Sequence, residues 1–286
     1  MNILQILILA VVQGAAELLP VSSSAHVIVA AKLMGLDPTS PEMVMLLVML
    51  HTGTMFAVIC YFWRSWRLNY FGTRHELGDF ARQIIIATAM TGVLGLALKY
   101  VIEKFFLRHT PDAAVENLFG ELGLISLALF CVGGLIVWAG VKAGRRSGRP
   151  GIYLGDSIII GLVQGLCLPF RGFSRSGATI SAALLLGINK VRAEEFSFAL
   201  AVVLTPPVIV RSVWRLMKAN SAAQISGPAL WQMFYPSLLG MIFSFLAGLL
   251  ALRWLSRWLE GGRWQWFGIY CLVAAVVVFS LHRLGF

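Results

Sequence analysis

The sequence predicts an all-α integral membrane protein, with six transmembrane helices and two re-entrant helix-loop-helix hairpins arranged as an inverted-topology repeat. Three observations point there. The 286 residues are 58% hydrophobic and 13% charged, whereas a soluble domain carries about 25% charged residues. Apolar runs of membrane-crossing length alternate with clusters of Lys and Arg. Two further runs are too short and too interrupted to cross, and they resemble each other.

The first interrupted run covers 3–20, where Gln13, Gly14 and Glu17 break the apolar pattern and Pro20 ends it. Ser22-Ser23-Ser24 follows, then a second short apolar piece over 25–36. Neither piece supplies the roughly 20 residues of a spanning helix. Two half-helices meeting at a polar break fit better, and such breaks persist only where protein or a water-filled cavity surrounds them. Full spans are expected over 43–63, 81–101, 119–141, 194–213, 231–253 and 265–283. A second broken element, 155–187, lies between the third and fourth, with Pro169 and Gly172 at its centre. The first basic residue is Lys32, so no charged region precedes the opening apolar run, and a cleavable signal peptide is not expected.

The chain reads as a single membrane domain over 1–286 that repeats itself. Val12-Gln13-Gly14 recurs 151 residues later as Val163-Gln164-Gly165, and Val21-Ser22-Ser23-Ser24 recurs 152 later as Phe173-Ser174-Arg175-Ser176. Ala31, Leu33, Gly35 and Glu42 return at the second offset. One copy covers about 1–141 and the other about 155–286. Each holds one hairpin and three spans, and an odd number of crossings makes the copies inverted, as in proteins with a midplane site. More Lys and Arg collect on the face of Arg64, Lys142, Arg149 and Lys190 than on the other. By the positive-inside rule that face is cytoplasmic and both termini lie outside.

The net charge of +10 does not point to nucleic acid, because the basic residues sit between apolar runs and no basic soluble domain exists. Cys60, Cys131, Cys167 and Cys271 lack metal-ligand spacing and read as small buried hydrophobes. His51-Thr52-Gly53-Thr54 places polar atoms in a span and reads as packing or lining. Glu194 and Glu195 open a span and read as first-turn acids that complement the helix dipole.

The chemistry concentrates at the two breaks. Glu17, Ser22, Ser23, Ser24 and His26 occupy the first; Ser174, Arg175, Ser176 and Thr179 occupy the second, with Arg171 just before it. An arginine within a bilayer costs about 2.5–3.5 kcal/mol even on a lenient scale, so Arg175 needs a purpose. A guanidinium fork, hydroxyls and the N–H groups of a new helix form a cradle for phosphate or diphosphate. His26 can shuttle a proton or attack phosphorus, and shares a helical face with Ser23 three residues earlier. Glu17 can orient the imidazole, pair with Arg175 or hold a divalent cation.

Gln13-x-x-x-Glu17 followed by Leu19-Pro20-Val21-Ser22-Ser23-Ser24-Ala25-His26, together with Gly172-Phe173-Ser174-Arg175-Ser176-Gly177-Ala178-Thr179, resembles the paired signature of the undecaprenyl-diphosphate phosphatase family of bacitracin resistance. The resemblance extends to Ala193-Glu194-Glu195-Phe196-Ser197-Phe198 and covers nearly the whole chain. It implies an enzyme of the bacterial inner membrane that converts undecaprenyl diphosphate to the monophosphate at a periplasm-facing site, recycling the lipid carrier of cell-wall precursors. It further implies stimulation by a divalent cation, Mg or Ca, with Glu17 the candidate ligand. Glu17, Ser23, His26 and Arg175 are the catalytic candidates; Gln13, Ser22, Ser24, Ser174, Ser176, Thr179 and Arg171 are the substrate-binding ones. Three positions depart from the pattern. Gln13 stands where many members carry Glu, Ser24-Ala25 replaces Thr-Gly and is expected to restrict the turn before His26, and Pro169-Phe170-Arg171 replaces a single Pro.

Hydrolysis of a polyprenyl diphosphate is therefore the leading expectation, with His26, Ser23 or water as nucleophile and Ser23 activated by His26 preferred. A lipid flippase or anion-coupled transporter on the same scaffold is the alternative. The oligomeric state is left open.

Overall fold

The computed structural model describes residues 1–37, 40–106, 122–144, 148–170, 172–223 and 227–284. Among the described residues ten α-helices follow one another: α1 (Ile3–Leu18), α2 (Ser23–Leu33), α3 (Pro41–Tyr70), α4 (Arg74–Val101), α5 (Leu122–Ala143), α6 (Leu154–Cys167), α7 (Arg175–Leu185), α8 (Lys190–Ala223), α9 (Gly227–Glu260) and α10 (Gln265–Arg283). A π-helical turn, Ile102–Phe106, extends α4. Among the described residues no strand forms, apart from a bridge between Arg149 and Ile188.

Among the described residues six helices are long and apolar enough to cross a membrane: Glu42–Tyr70, Arg74–Lys104, Leu122–Ala143, Lys190–Trp214, Phe234–Glu260 and Gln265–Arg283. These are the six expected spans, and several run beyond the apolar windows into charged sequence. Thr73 explains one such extension: its hydroxyl accepts from the Glu76 N–H while Glu76 accepts from the Thr73 N–H, a capping box that starts α4 ahead of the apolar run. Large apolar side chains such as Leu96, Val141, Val210 and Leu250 stand exposed on these helices, as a lipid-facing surface requires. The chain is a multi-pass membrane protein by this composition and length. Helices α1, α2, α6 and α7 are too short to cross.

Two compact units divide the chain. The first takes in Met1–Leu18, Ser23–Arg64 and Ala201–Trp254; the second takes in Leu19–Ser22, Ser65–Leu200 and Leu255–Phe286. In the first, Ile6, Leu9 and Ala10 of α1 pack with Val27 and Ala31 of α2 and with Met43, Leu46 and Leu50 of α3. A Cβ added at Gly14 would stand 2.6 Å from the Ser244 carbonyl oxygen of α9. Ser244 Oγ in turn donates to the Leu50 carbonyl at 3.0 Å. Lipid leaves no hydrophobic drive between spans, so close backbone approach and interhelical hydrogen bonds hold them.

The second unit uses the same means. Helices α5 and α10 pack through Gly133 and Gly268, whose added Cβ atoms would reach the other's carbonyl oxygen at 3.0 and 2.7 Å. Ser126 Oγ donates to the Ala275 carbonyl at 2.9 Å across that seam. Helix α6 lies on α4 with Gly161 against the Ala87 backbone, and Thr91 Oγ1 stands 2.9 Å from the Gly161 carbonyl. Arg149 ties the entry of α6 to the end of α7: its N–H donates to the Gly187 carbonyl, and its guanidinium meets Asp156 at 2.6 Å. A residue expected to mark topology therefore also builds structure.

Two expectations are corrected here. Glu194 and Glu195 are buried and lie past the first turn of α8, which holds no acid. Glu195 accepts from Ser65, Asn69 and Tyr70 of α3 and from Arg192, whose guanidinium lies over the Tyr70 ring; Glu194 accepts from Ser256 at 2.6 Å. A burial cost this high is offset only by such complete pairing. Cys60 and Cys131 are exposed on spans, unlike buried Cys167 and Cys271, because a lipid-facing surface suits an apolar side chain as well as a core does.

Replacing Gly268 by Val should strain the α5–α10 seam by about 1–3 kcal/mol. Thermal unfolding in detergent is expected to move to lower temperature, while Val at Gly134, where an added Cβ meets nothing within 4 Å, leaves it unchanged.

Candidate active site

In the first unit the polar group is assembled from three helices. Gln13 and Glu17 stand four residues apart on α1 and so share a face. Gln13, only 1% exposed, donates through Nε2 to Glu17 Oε2 at 3.2 Å. Ser23, the first residue of α2, donates through Oγ to the same oxygen at 2.5 Å. From α3, His51 places Nε2 3.9 Å from that oxygen. Ser23, which shares a helical face with His26, directs its hydroxyl to Glu17. His26 follows on α2, half-buried. Ser24 is likewise half-buried on α2.

Leu19–Ser22, the link from α1 to α2, belongs to the second unit. Its turn is set by Ser22, whose φ of 68° places it in the left-handed region. Ala25 instead sits inside α2. The expected restriction from losing a glycine there therefore falls away, because the left-handed residue precedes the helix. Ser176 Oγ donates to the Leu19 carbonyl at 3.4 Å, and the Cys271 thiol donates to the Pro20 carbonyl at 3.2 Å. The link is thus pinned beside the start of α7.

Ser174 caps α7, its Oγ accepting from the Gly177 N–H at 3.2 Å. Arg175 is the first residue of that helix and is half-buried. Gly172 has φ of 100°, and a Cβ there would stand 2.6 Å from the Ile125 carbonyl oxygen, so the turn into α7 needs glycine on both counts. Thr179 is fully buried, with Oγ1 2.8 Å from the Arg175 carbonyl and 2.6 Å from Ser197 Oγ of α8. These contacts tie α7 to α8. Ser176 is buried too, and its contact is with the link. Arg171 lies outside the described residues.

Among the described residues no three of His, Cys, Asp and Glu gather closely enough to hold a metal ion. Glu17 is a lone carboxylate whose Oε2 already accepts from Ser23 and Gln13. That donor set does not fit a divalent cation held by protein groups alone, which takes six or more oxygens.

His51 is what sequence reasoning passed over. The signal was present, since an ionisable residue within a span points to function by default.

Residues 6–277 match a family model described as Bacitracin resistance protein BacA. A protein of Acinetobacter baylyi named undecaprenyl-diphosphatase 2 is 55% identical over 283 residues, covering 98% of each chain. Two others of that name are 32% identical: one of Burkholderia orbicola over 299 residues and 99% of each chain, and one of Burkholderia thailandensis over 292 residues, 96% of this chain and 95% of its own.

Thr179→Val removes a buried hydroxyl and strands that of Ser197, a loss of about 1–3 kcal/mol. The melting temperature in detergent should fall, and Thr179→Ser should restore most of it.

Proposed function

This chain belongs to the bacitracin resistance protein BacA family, and on that premise we propose that it hydrolyses undecaprenyl diphosphate to undecaprenyl phosphate and inorganic phosphate. Such a reaction recycles the cell-wall lipid carrier and confers bacitracin resistance. The observation that carries the chemistry is the 2.5 Å hydrogen bond from Ser23 Oγ to Glu17 Oε2. A carrier or flippase needs an anion clamp but no hydroxyl held against a carboxylate, so this pair favours hydrolysis.

In the proposed reaction Ser23 Oγ attacks the distal phosphorus and Glu17 takes its proton. The bond from that phosphorus to the bridging oxygen breaks, and undecaprenyl phosphate departs. Water then hydrolyses the phosphoserine, with Glu17 returning the proton to Ser23. Arg175 neutralises the equatorial oxygens, which is most of what phosphoryl transfer asks of a protein. His26 is available for proton transfer to the released phosphate. Ser22, Ser24 and Ser174 are assigned to the diphosphate as further donors. Glu17 is the protein carboxylate that would face a divalent cation, Mg or Ca, and such a cation would supply charge neutralisation at the diphosphate.

The scaffold reading follows the same premise. Helix lengths run short, short, long, long, long from α1 to α5 and again from α6 to α10, which supports two copies of one unit. With three crossings each the copies are inverted, and α1–α2 and α6–α7 are re-entrant hairpins dipping from opposite faces. The distribution of Lys and Arg favours a site open to the periplasm of a bacterial inner membrane.

Purified protein in detergent should release phosphate from undecaprenyl diphosphate. Arg175→Ala and Ser23→Ala are each expected to slow release by about 100-fold or more while eluting as folded protein by gel filtration. Wild-type turnover by Arg175→Ala would remove that residue from the mechanism.

A further inference from the structure

A cavity of about 220 Å³ lies in the second unit, where the last turn of α5 meets the end of α7 and the start of α8. Three cations from three segments line it: Lys142, Arg149 and Lys190, with Leu184, Leu185 and Gly187 among them. Among the described residues no carboxylate lines it. Arg149 meets Asp156 at 2.6 Å, and Asp156 is not part of the lining. Lys190 Nζ donates to the Glu260 carbonyl at 3.4 Å. Lys142 Nζ stands 5.7 Å from the centre of the Trp138 ring. Neither a carbonyl nor a ring cancels a full charge. The ends of α5, α7 and α9 and the start of α8 meet these cations, and each terminus carries about half a charge, negative at a C-terminus and positive at an N-terminus. With Asp156 also set against the three cations, about one positive charge is left over.

From this geometry we infer that the cavity is a second anion site, binding a phosphate group at the membrane surface through Lys142 and Lys190. Exposed Trp and Tyr rings beside Lys and Arg mark the headgroup level of a bilayer. Trp138 beside Lys142 and Tyr153 beside Arg149 are such a pair, both rings exposed. Basic pockets between membrane helices at that level take anionic headgroups. Lysine binds phosphate as a point charge, while Arg149, committed to Asp156 and to the Gly151 carbonyl, shapes the lining. The exposed Val141 and Trp138 offer apolar surface next to Lys142, which favours the phosphate of an anionic phospholipid over the free anion. The cavity is distinct from the motifs. It reaches α7 at Leu184, nine residues after Arg175, about 14 Å along a helix rising 1.5 Å per residue. The inference does not depend on the hydrolase reading.

The test is the affinity of the purified full chain in detergent, by microscale thermophoresis, for phosphatidylglycerol, phosphatidylcholine and inorganic phosphate. Wild type is compared with Lys142→Gln/Lys190→Gln, Arg175→Ala and Arg64→Gln/Arg67→Gln, the last removing two exposed cations of α3 outside the cavity. Wild type should prefer phosphatidylglycerol to phosphatidylcholine. The lysine double variant should lose about 10- to 30-fold of the phosphatidylglycerol affinity, the weight of two cations near an anionic head. Arg175→Ala and Arg64→Gln/Arg67→Gln should keep it. If the double variant fails to fold, Lys142→Gln alone should lose about fivefold. Inorganic phosphate that binds wild type and not the lysine variant, with no preference for phosphatidylglycerol, makes the free anion the occupant and still supports the site. No loss in the lysine variant with either probe overturns the inference, as does an equal loss in Arg64→Gln/Arg67→Gln. An affinity lost in Arg175→Ala instead puts the anion at the motifs and overturns it too.

Discussion

Polar groups set among apolar helices must find partners inside the protein, since lipid offers none, and that demand shapes both compact units. An unsatisfied backbone or side-chain group in hydrocarbon costs several kcal/mol. The breaks after α1 and α6 are therefore the most constrained parts of the chain. At the first, the Leu19 and Pro20 carbonyls accept from Ser176 and Cys271. At the second, Ser174 caps α7 and Gly172 lets the turn press against the Ile125 backbone. The groups that satisfy these breaks lie in or beside the motifs assigned to chemistry.

The same demand accounts for the buried acids. Glu195 survives at zero exposure because three donors of α3 and one guanidinium converge on it. Glu17 survives in a half-buried place because Ser23 and Gln13 donate to it. Around Glu195 the partners join α3 to α8, and around Glu17 they join α1 to α2.

Much of this was legible in the residues. Apolar runs of crossing length located all six spans, because composition alone decides what lipid accepts. Pro20 and the serine cluster located the first break, and Pro169 with Gly172 the second. Side-chain direction was not legible. Thr179 sits within a motif, yet its hydroxyl meets Ser197, eighteen residues away, which no local pattern reveals. Glu194 and Glu195 looked like dipole-complementing acids because their partners, Ser256 and the end of α3, are distant in sequence. His51 was set aside for the same reason: the carboxylate beside it belongs to another helix. Ser23 and His26 share a helical face, but the closer acceptor for Ser23 was Glu17, brought back by the Ser22 turn.

The central proposal is that Ser23 and Arg175 serve the same step of phosphate release. A double-mutant cycle on phosphate release, pairing Ser23→Ala with Arg175→Lys, tests it most directly. Residues that act as a unit lose their effects together, so the double variant should be little slower than the slower single variant. Losses that multiply, leaving the double variant slower by the product of the two single effects, would contradict the account.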